Sequence, residues 1–128
     1  MKALLDTHTF LWWNMDDPQL SPTARRLISD GSNELYLSAA SAWEIAIKCA
    51  RGRLILPASP DIYVPDRMSS QQIQPLPVWI SHALHVYHLP EIHQDPFDRL
   101  IIAQSQLESL PIVTGDAVIA RYEVDVIW

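Results

Sequence analysis

Three things are scarce in this chain of 128 residues, and each absence narrows the possibilities. The single cysteine, Cys49, cannot form an internal disulfide, which favours a cytosolic protein over a secreted disulfide scaffold. No apolar run approaches the length of a membrane span, and the N-terminus lacks the pattern of a signal peptide. We therefore expect a cytoplasmic protein that does not contact the membrane.

Positive charge is also scarce. Nine lysines and arginines stand against fifteen aspartates and glutamates, so the formal net charge is −6. This balance argues against unspecific nucleic-acid binding through a basic surface, although acids that bind divalent cations would leave such binding open. The length and the hydrophobic fraction of 48% indicate one globular domain over residues 1–128.

The first strand is the run from Lys2 to Leu5, which ends at Asp6. Adjacent leucines make both faces of this run apolar, as in a strand of a parallel sheet that helices cover on both sides. Asp6 then lies at the carboxyl end of the strand, the edge at which ligands bind in open α/β sheets.

Further strands and helices alternate along the chain. Strands are predicted at 34–38, 73–76, 110–114 and 124–128, and residues 53–72 read as a loop around a short helix. We expect two helices capped by Thr7 and Ser21. A third should start with a capping box of Ser41 and Glu44 and carry Trp43 on its buried stripe. Two more are expected, one over 79–88 and one that starts at Asp95-Pro96. This order predicts a three-layer α/β/α sandwich on a parallel sheet of four to five strands.

Four acids should meet at the carboxyl edge of that sheet: Asp6, Glu44, Asp98 and Asp116. Each also has a purely structural interpretation. Glu44 could complete the capping box or pair with Lys48, Asp98 stands in the same relation to Asp95, and Asp6 and Asp116 could cap loops. The joint convergence favours a functional cluster, because capping gives no reason to bury an acid over an apolar face.

The energy of such a cluster predicts its ligand. Four ionised carboxylates roughly 6 Å apart, at an effective dielectric of about 20, would repel by on the order of 15 kcal/mol in total. That matches or exceeds the stability of a typical domain, about 5–15 kcal/mol. The cluster must therefore take up protons or bind cations, and carboxylates without histidine or thiolate prefer Mg²⁺ or Mn²⁺. Such ions activate water for phosphodiester displacement.

The residues around these acids resemble one known family. Leu5-Asp6-Thr7-His8, the block from Ser38 to Lys48, the block from Asp95 to Gln104, and Thr114-Gly115-Asp116 are similar to PIN-domain ribonucleases, above all to VapC-type toxins of toxin–antitoxin pairs. The resemblance implies a Mg²⁺- or Mn²⁺-dependent endoribonuclease with Asp6, Glu44, Asp98 and Asp116 as catalytic and metal-binding residues. It implies that Thr114 orients the site. It also implies a homodimer, a cognate antitoxin, and contact with operator DNA only through that antitoxin.

Two other functions stay open on the sequence. A metal-dependent phosphatase of the haloacid dehalogenase type also has an aspartate after its first strand, but it needs a second one at the position of His8. A non-catalytic protein could act with an antitoxin in an operator-binding repressor complex. His82, His85 and His88 are expected to form a solvated stripe rather than a metal site, and Arg99 could contact phosphate or form a structural ion pair. Asp95 is expected to cap its helix, and His8 could contact substrate or a helix terminus.

Overall fold

A parallel sheet of five strands lies at the centre of the computed structural model, which describes residues 1–128. The spatial order is β3-β2-β1-β4-β5, and every neighbouring pair is parallel. The predicted parallel sheet is thereby confirmed, with the proline-containing strand at one edge as expected. The strands are β1 Lys2–Leu5, β2 Glu34–Ser38, β3 Gln74–Leu76, β4 Ile112–Val113 and β5 Val126–Ile127.

Strand β1 occupies the middle of the sheet, between β2 and β4. Ala3, Leu4 and Leu5 are each fully buried. Because successive side chains of a strand point to opposite faces, Ala3 and Leu5 join one hydrophobic core while Leu4 joins the other. The apolar run of the sequence thus acts as the junction between two cores.

Six helices cover the two faces of the sheet and complete the predicted three layers. The core that contains Ala3 is built with side chains of α1 (Thr7–Asn14), α2 (Pro22–Ser29), α3 (Ala39–Ala50) and α4 (Pro60–Gln71). The core that contains Leu4 is built with α6 (Pro96–Glu108), while α5 (Ile80–His85) packs against α6 and continues as a 3-10 turn over Val86–His88. A second 3-10 turn spans Ile119–Arg121. No helix is both long enough and apolar enough to span a membrane.

Two predicted helix starts are confirmed by their caps. The Ser21 hydroxyl accepts from the Ala24 amide at 3.1 Å, ahead of Pro22. The Asp95 carboxylate accepts from the amides of Phe97 and Asp98 at 2.9 and 3.1 Å, ahead of Pro96. In both cases a side-chain acceptor satisfies free amides of the first turn, and proline supplies a preset backbone angle.

The predicted capping box of Ser41 and Glu44 is wrong. Helix α3 begins at Ala39 because the Ser38 hydroxyl, at the end of β2, already caps it through the Ala40 amide at 3.0 Å. Ser41 therefore lies inside the helix, and Glu44 lies in its second turn. Trp43, predicted on the buried stripe, is 57% exposed and packs edge-on against Phe97 with ring centroids 5.2 Å apart.

Other local expectations also needed correction. Helix α4 is longer than the short helix expected within 53–72, because Pro60 starts the helix instead of breaking it. Helix α1 begins at Thr7, so Asp6 rather than Thr7 occupies the N-cap position. On α6, Leu107 is 44% exposed, whereas Arg99, Gln104 and Ser105 are buried.

Candidate carboxylate site at the sheet edge

The four acids singled out in the sequence reach one region from different elements. Asp6 directly follows β1, Asp116 lies in the loop after β4, Glu44 projects from α3, and Asp98 lies in the first turn of α6. Carboxyl ends of parallel strands share one edge, which explains how distant segments converge. The charge of Glu44 acts on Asp6, and the charges of Asp6 and Asp116 act on Asp98, so the four side chains are electrostatically linked.

Asp6 and Thr114 form the buried centre of the site. The Thr114 hydroxyl donates to Oδ2 of Asp6 at 2.8 Å and accepts from the Asp116 amide at 3.0 Å. One hydroxyl therefore connects the loop after β4 to the end of β1. Burial raises the pKa of Asp6 above its ordinary value; the hydrogen bond from Thr114 and the charge of His8 oppose this rise, and the charge of Glu44 adds to it.

Glu44 is buried, yet only half of its carboxylate has a partner. Oε2 accepts from the Lys48 ammonium at 2.7 Å, one helical turn further on. Oε1 is buried and accepts no hydrogen bond from the protein. A buried acceptor without a partner costs about 1–3 kcal/mol, so this oxygen is ready to take a ligand. The nearby hydroxyls of Thr7 and Ser41 bond to each other at 2.8 Å.

The pKa of Asp98 is raised to about 6. Burial is the main cause, and the negative charges of Asp95, Asp6 and Asp116 add to it, while a hydrogen bond from His93 works against it. His93 Nε2 lies 3.1 Å from Oδ2 of Asp98. Burial therefore accounts for most of this rise, and the repulsion that the sequence predicted for the cluster makes a smaller contribution.

Asp116 is the exposed member of the group. Its Oδ1 accepts from the Val118 amide at 2.8 Å, which stabilises the turn after β4. Oδ2 of Asp116 makes no hydrogen bond within the protein, so this acid can stabilise the turn through Oδ1 and still offer Oδ2 to a ligand. Asp95 caps α6, as expected, and its charge also reaches Asp98.

The donor set fits a hard divalent cation, although the side chains are not closed around one point. All four acids offer oxygen, the ligand that Mg²⁺ and Mn²⁺ prefer, and one of these oxygens is buried without a partner. No three histidine, cysteine, aspartate or glutamate side chains are close enough together to bind a metal ion as they stand. A cation would have to draw the carboxylates inward.

Arg99 has a structural role, but it acts through hydrogen bonds to carbonyls and a hydroxyl rather than through the close ion pair that the sequence left open; its contact with Glu91 is 3.9 Å long. It is buried, with 7% of its surface exposed, and Nη1 donates to the Pro90 carbonyl at 2.8 Å and to the Tyr122 hydroxyl at 3.0 Å. Additional, longer bonds reach the carbonyls of His93 and Val86. Because its guanidinium donates to four acceptors within the protein, Arg99 stabilises the loop before α6 and is not available to bind phosphate.

The expected solvated stripe of histidines is wrong for its first member. His82 is fully buried, accepts from the Trp79 amide at 3.0 Å and lies 2.8 Å from Glu108. His85 bonds to Gln106 at 2.8 Å. These contacts join α5 to α6, and the sequence could not indicate them because the partner residues are more than 20 positions away.

His93 is the site residue that the sequence reasoning missed. It lies five positions before Asp98, between two predicted helices, and its second partner, Tyr122, is 29 positions away. Its position two residues before Asp95 is a local signal, but that position does not indicate its distant partner, Tyr122. His8, by contrast, is exposed and lies beside Trp12 with ring centroids 5.6 Å apart.

A sizeable apolar cavity lies away from the acids. A groove of about 580 Å³ lies between α3 and α4 and is mainly apolar, with Ala42, Ala46, Val64 and Met68 among its lining residues. Its chemistry suits a hydrophobic partner rather than a reaction, so the carboxylate edge is the better candidate for the catalytic site.

Comparisons with known proteins agree with this fold. A family model described as the PIN domain matches residues 3–125. Ribonuclease VapC16 of Mycobacterium tuberculosis is 46% identical over 61 residues, which make up 48% of this chain and 43% of that protein. The match therefore spans less than half the length of this relative.

Solved structures show the same architecture at low sequence identity. VapBC2 from Rickettsia felis, bound to a DNA fragment from its promoter, aligns with a TM-score of 0.71 and 12% identity over 98% of this chain and 97% of that one. FitAcB from Neisseria gonorrhoeae aligns with a TM-score of 0.59 and 20% identity over 98% and 96% of the two chains. At these identities the likeness establishes the fold.

Proposed function

This chain belongs to the PIN-domain family, and from that premise we propose that it is a metal-dependent endoribonuclease, the toxin of a toxin–antitoxin pair. The observation that carries the proposal is the electrostatic linkage of four carboxylates from remote segments at one sheet edge. The similarity to a relative named as a ribonuclease supports RNA as the substrate.

Asp6, Glu44, Asp98 and Asp116 would hold one or two Mg²⁺ or Mn²⁺ ions. The carboxylates supply only oxygen, and the unpartnered Oε1 of Glu44 offers a ligand that costs no existing hydrogen bond. When bound, such a cation polarises the scissile phosphate and lowers the pKa of a water molecule. Burial is the main reason that the pKa of Asp98 is raised, and the neighbouring negative charges, which a cation would offset, add to it.

The side chains themselves then have distinct tasks. Thr114 holds Asp6 through Oδ2 and so fixes the carboxylate at the centre of the site. One of the four carboxylates accepts the proton that the attacking water releases. Lys48 neutralises part of the charge of Glu44.

Two apolar surfaces support the proposal of protein partners. One is the groove between α3 and α4. The other is a face of the α5 segment on which Ile80, Leu84 and Tyr87 are 79%, 68% and 88% exposed. Exposed apolar patches of this kind are typical of interaction sites. We propose that they serve a homodimer and a cognate antitoxin, and that operator DNA is contacted only through the antitoxin, in keeping with the complexes named among the similar structures.

Cleavage of labelled RNA by the purified chain tests the proposal. We expect endonucleolytic products with Mg²⁺ or Mn²⁺, none with EDTA, and loss of activity in Asp6→Asn. Asp125→Asn is the matched control, because this acid is exposed and its side chain makes no hydrogen bond. Phosphate release from small esters without RNA cleavage would indicate a phosphatase instead. Operator binding without any cleavage would indicate a repressor component.

Light scattering tests the partner surfaces separately. If α5 forms the homodimer, Leu84→Glu should yield a monomer that keeps the wild-type circular dichroism spectrum. A variant that stays dimeric would exclude this face as the contact between copies.

A further inference from the structure

His93 links the acidic site to a buried hydrogen-bond network that lies behind it. Its Nε2 is 3.1 Å from Oδ2 of Asp98, and its Nδ1 is 2.7 Å from the hydroxyl of Tyr122. The imidazole therefore bridges a site carboxylate and a tyrosine that is only 4% exposed. The direction of each bond decides what this bridge does to Asp98.

The hydroxyl of Tyr122 is surrounded by donors. Arg99 Nη1 donates to it at 3.0 Å, and a guanidinium has no acceptor, so the direction of this bond is fixed. The backbone amide of His93 also donates to it, at 3.3 Å. A tyrosine oxygen has two lone pairs, and these two donors occupy both. The one remaining function of the hydroxyl is to donate its hydrogen to Nδ1 of His93.

This accounting fixes the tautomer of the imidazole. Nδ1 accepts from Tyr122, so the ring hydrogen must be on Nε2, where it donates to Oδ2 of Asp98. Asp98 Oδ1 receives no hydrogen bond from the protein and is the oxygen left for a ligand or a proton. Arg99 in turn is held by backbone carbonyls and cannot rotate away from Tyr122.

We propose that His93 is a positioning residue for the carboxylate site, held as the Nε2–H tautomer by Tyr122 and Arg99 so that it orients Asp98. The proposal rests on the proposed function, in which Asp98 binds a divalent cation. Partners behind a ligating carboxylate usually matter to a cation site: their removal typically costs about 10- to 100-fold in metal affinity or activity.

The wild-type full chain provides the first test, without any substitution. Nitrogen-15 correlation spectra of the imidazole rings distinguish a protonated nitrogen from an unprotonated one. We expect His93 to show a protonated Nε2 and an unprotonated Nδ1, and Tyr122→Phe to abolish this fixed pattern. A hydrogen on Nδ1 in the wild type would overturn the proposal.

Two variants of His93 form the second test, with Mn²⁺ affinity measured by titration calorimetry. His93→Leu should lower the affinity by about 10- to 100-fold at an unchanged circular dichroism spectrum. His93→Gln, which can offer an amide N–H near the position of Nε2, should restore part of it. Equal affinities in wild type and His93→Leu would overturn the proposal, as would a glutamine variant no better than leucine.

The two proposals fail in different ways. If the wild type binds Mn²⁺ and cleaves RNA but His93→Leu does both equally well, only the role of His93 is wrong. If the wild type neither binds Mn²⁺ nor cleaves RNA, the proposed function is wrong, and the role of His93 that rests on it is overturned with it.

Discussion

Asp98 and Glu44 reach the same sheet edge from two helices, but the protein supports them differently. Asp98 lies in a capped first turn, beside a histidine whose orientation is set by a buried tyrosine and arginine. Glu44 lies in the second turn of α3 with a single partner, a lysine that is 38% exposed, and one oxygen has none. The protein therefore holds the Asp98 carboxylate in one orientation, whereas it leaves one oxygen of Glu44 available to a ligand.

This difference has a physical meaning for a cation site. In the proposed arrangement His93 donates a hydrogen bond to one oxygen of Asp98 and leaves the other available, so it helps a cation to bind. The partner of Glu44 is itself a cation and competes with a metal ion for the same carboxylate. The two halves of the site should therefore respond with opposite signs when their partners are removed.

The largest effect is expected from Asp98 itself. Asp98→Asn should reduce RNA cleavage by roughly 100-fold or more, since several kcal/mol of charge stabilisation are lost and each 1.36 kcal/mol is tenfold in rate. Asp95→Asn is the matched control in the same turn. Asparagine caps a helix about as well as aspartate, so this variant should keep most of the activity. Similar losses in both variants would show that the helix start, not the Asp98 carboxylate, is what matters.

The buried network behind Asp98 should be the next most sensitive part. Arg99→Met leaves the Pro90 carbonyl and the Tyr122 hydroxyl without their donor, which should lower the free energy of unfolding by about 3 kcal/mol. Urea denaturation measures this. A loss below about 1 kcal/mol would mean that the loop before α6 does not depend on the arginine.

The pH dependence of stability should include a contribution from Asp98, beside that of Asp6, whose pKa burial also raises. The pKa of Asp98 is raised to about 6 from an ordinary value of 3.8, so between about pH 4 and pH 6 the native state binds more protons than the unfolded state. The free energy of unfolding in EDTA should therefore fall as pH rises through this range, by on the order of 2 kcal/mol after allowance for solvent screening. Asp98→Asn should remove this part of the slope. If the difference in free energy of unfolding between wild type and Asp98→Asn does not change with pH, the raised pKa of Asp98 is contradicted.

Removing the partner of Glu44 should give the smallest effect and the opposite sign on binding. Lys48→Met should cost about 1 kcal/mol of stability without metal, because the lysine is partly exposed. The same change should tighten Mn²⁺ binding several-fold, in contrast to the weakening expected for His93→Leu. Calorimetric titration of both variants checks the contrast. Weaker binding in Lys48→Met would show that the lysine supports the site instead of competing for it.

The sequence predicted those parts of the fold that depend on neighbouring residues. The apolar run from Lys2 to Leu5 and the Asp95-Pro96 helix start carry their signals within a few positions, and the structure agrees with both. The start of α3 was misplaced because two serines, Ser38 and Ser41, are equally suitable caps by type. The strand was predicted to end at residue 38, as it does, but residue type alone does not show that the helix follows it at once.

The site was less predictable where its support comes from far along the chain. Its four acids could be proposed from element order and from the resemblance to a family. His93 could not, because its meaning depends on Tyr122, 29 positions away. The burial of His82 likewise depends on Glu108, 26 positions away. The residues within a few positions of a histidine do not show which distant side chain it will contact in the fold.

The central claim is that the four carboxylates act together on a divalent cation, and thermal melting with Mn²⁺ tests it most directly. A ligand that binds only the native state stabilises it by about 2.7 kcal/mol at a hundred times its Kd. Mn²⁺ should therefore raise the Tm of the wild type and of Asp125→Asn equally, and raise it less in Asp6→Asn, Glu44→Gln, Asp98→Asn and Asp116→Asn. An unchanged wild-type Tm, or the same rise in all variants, would contradict the account.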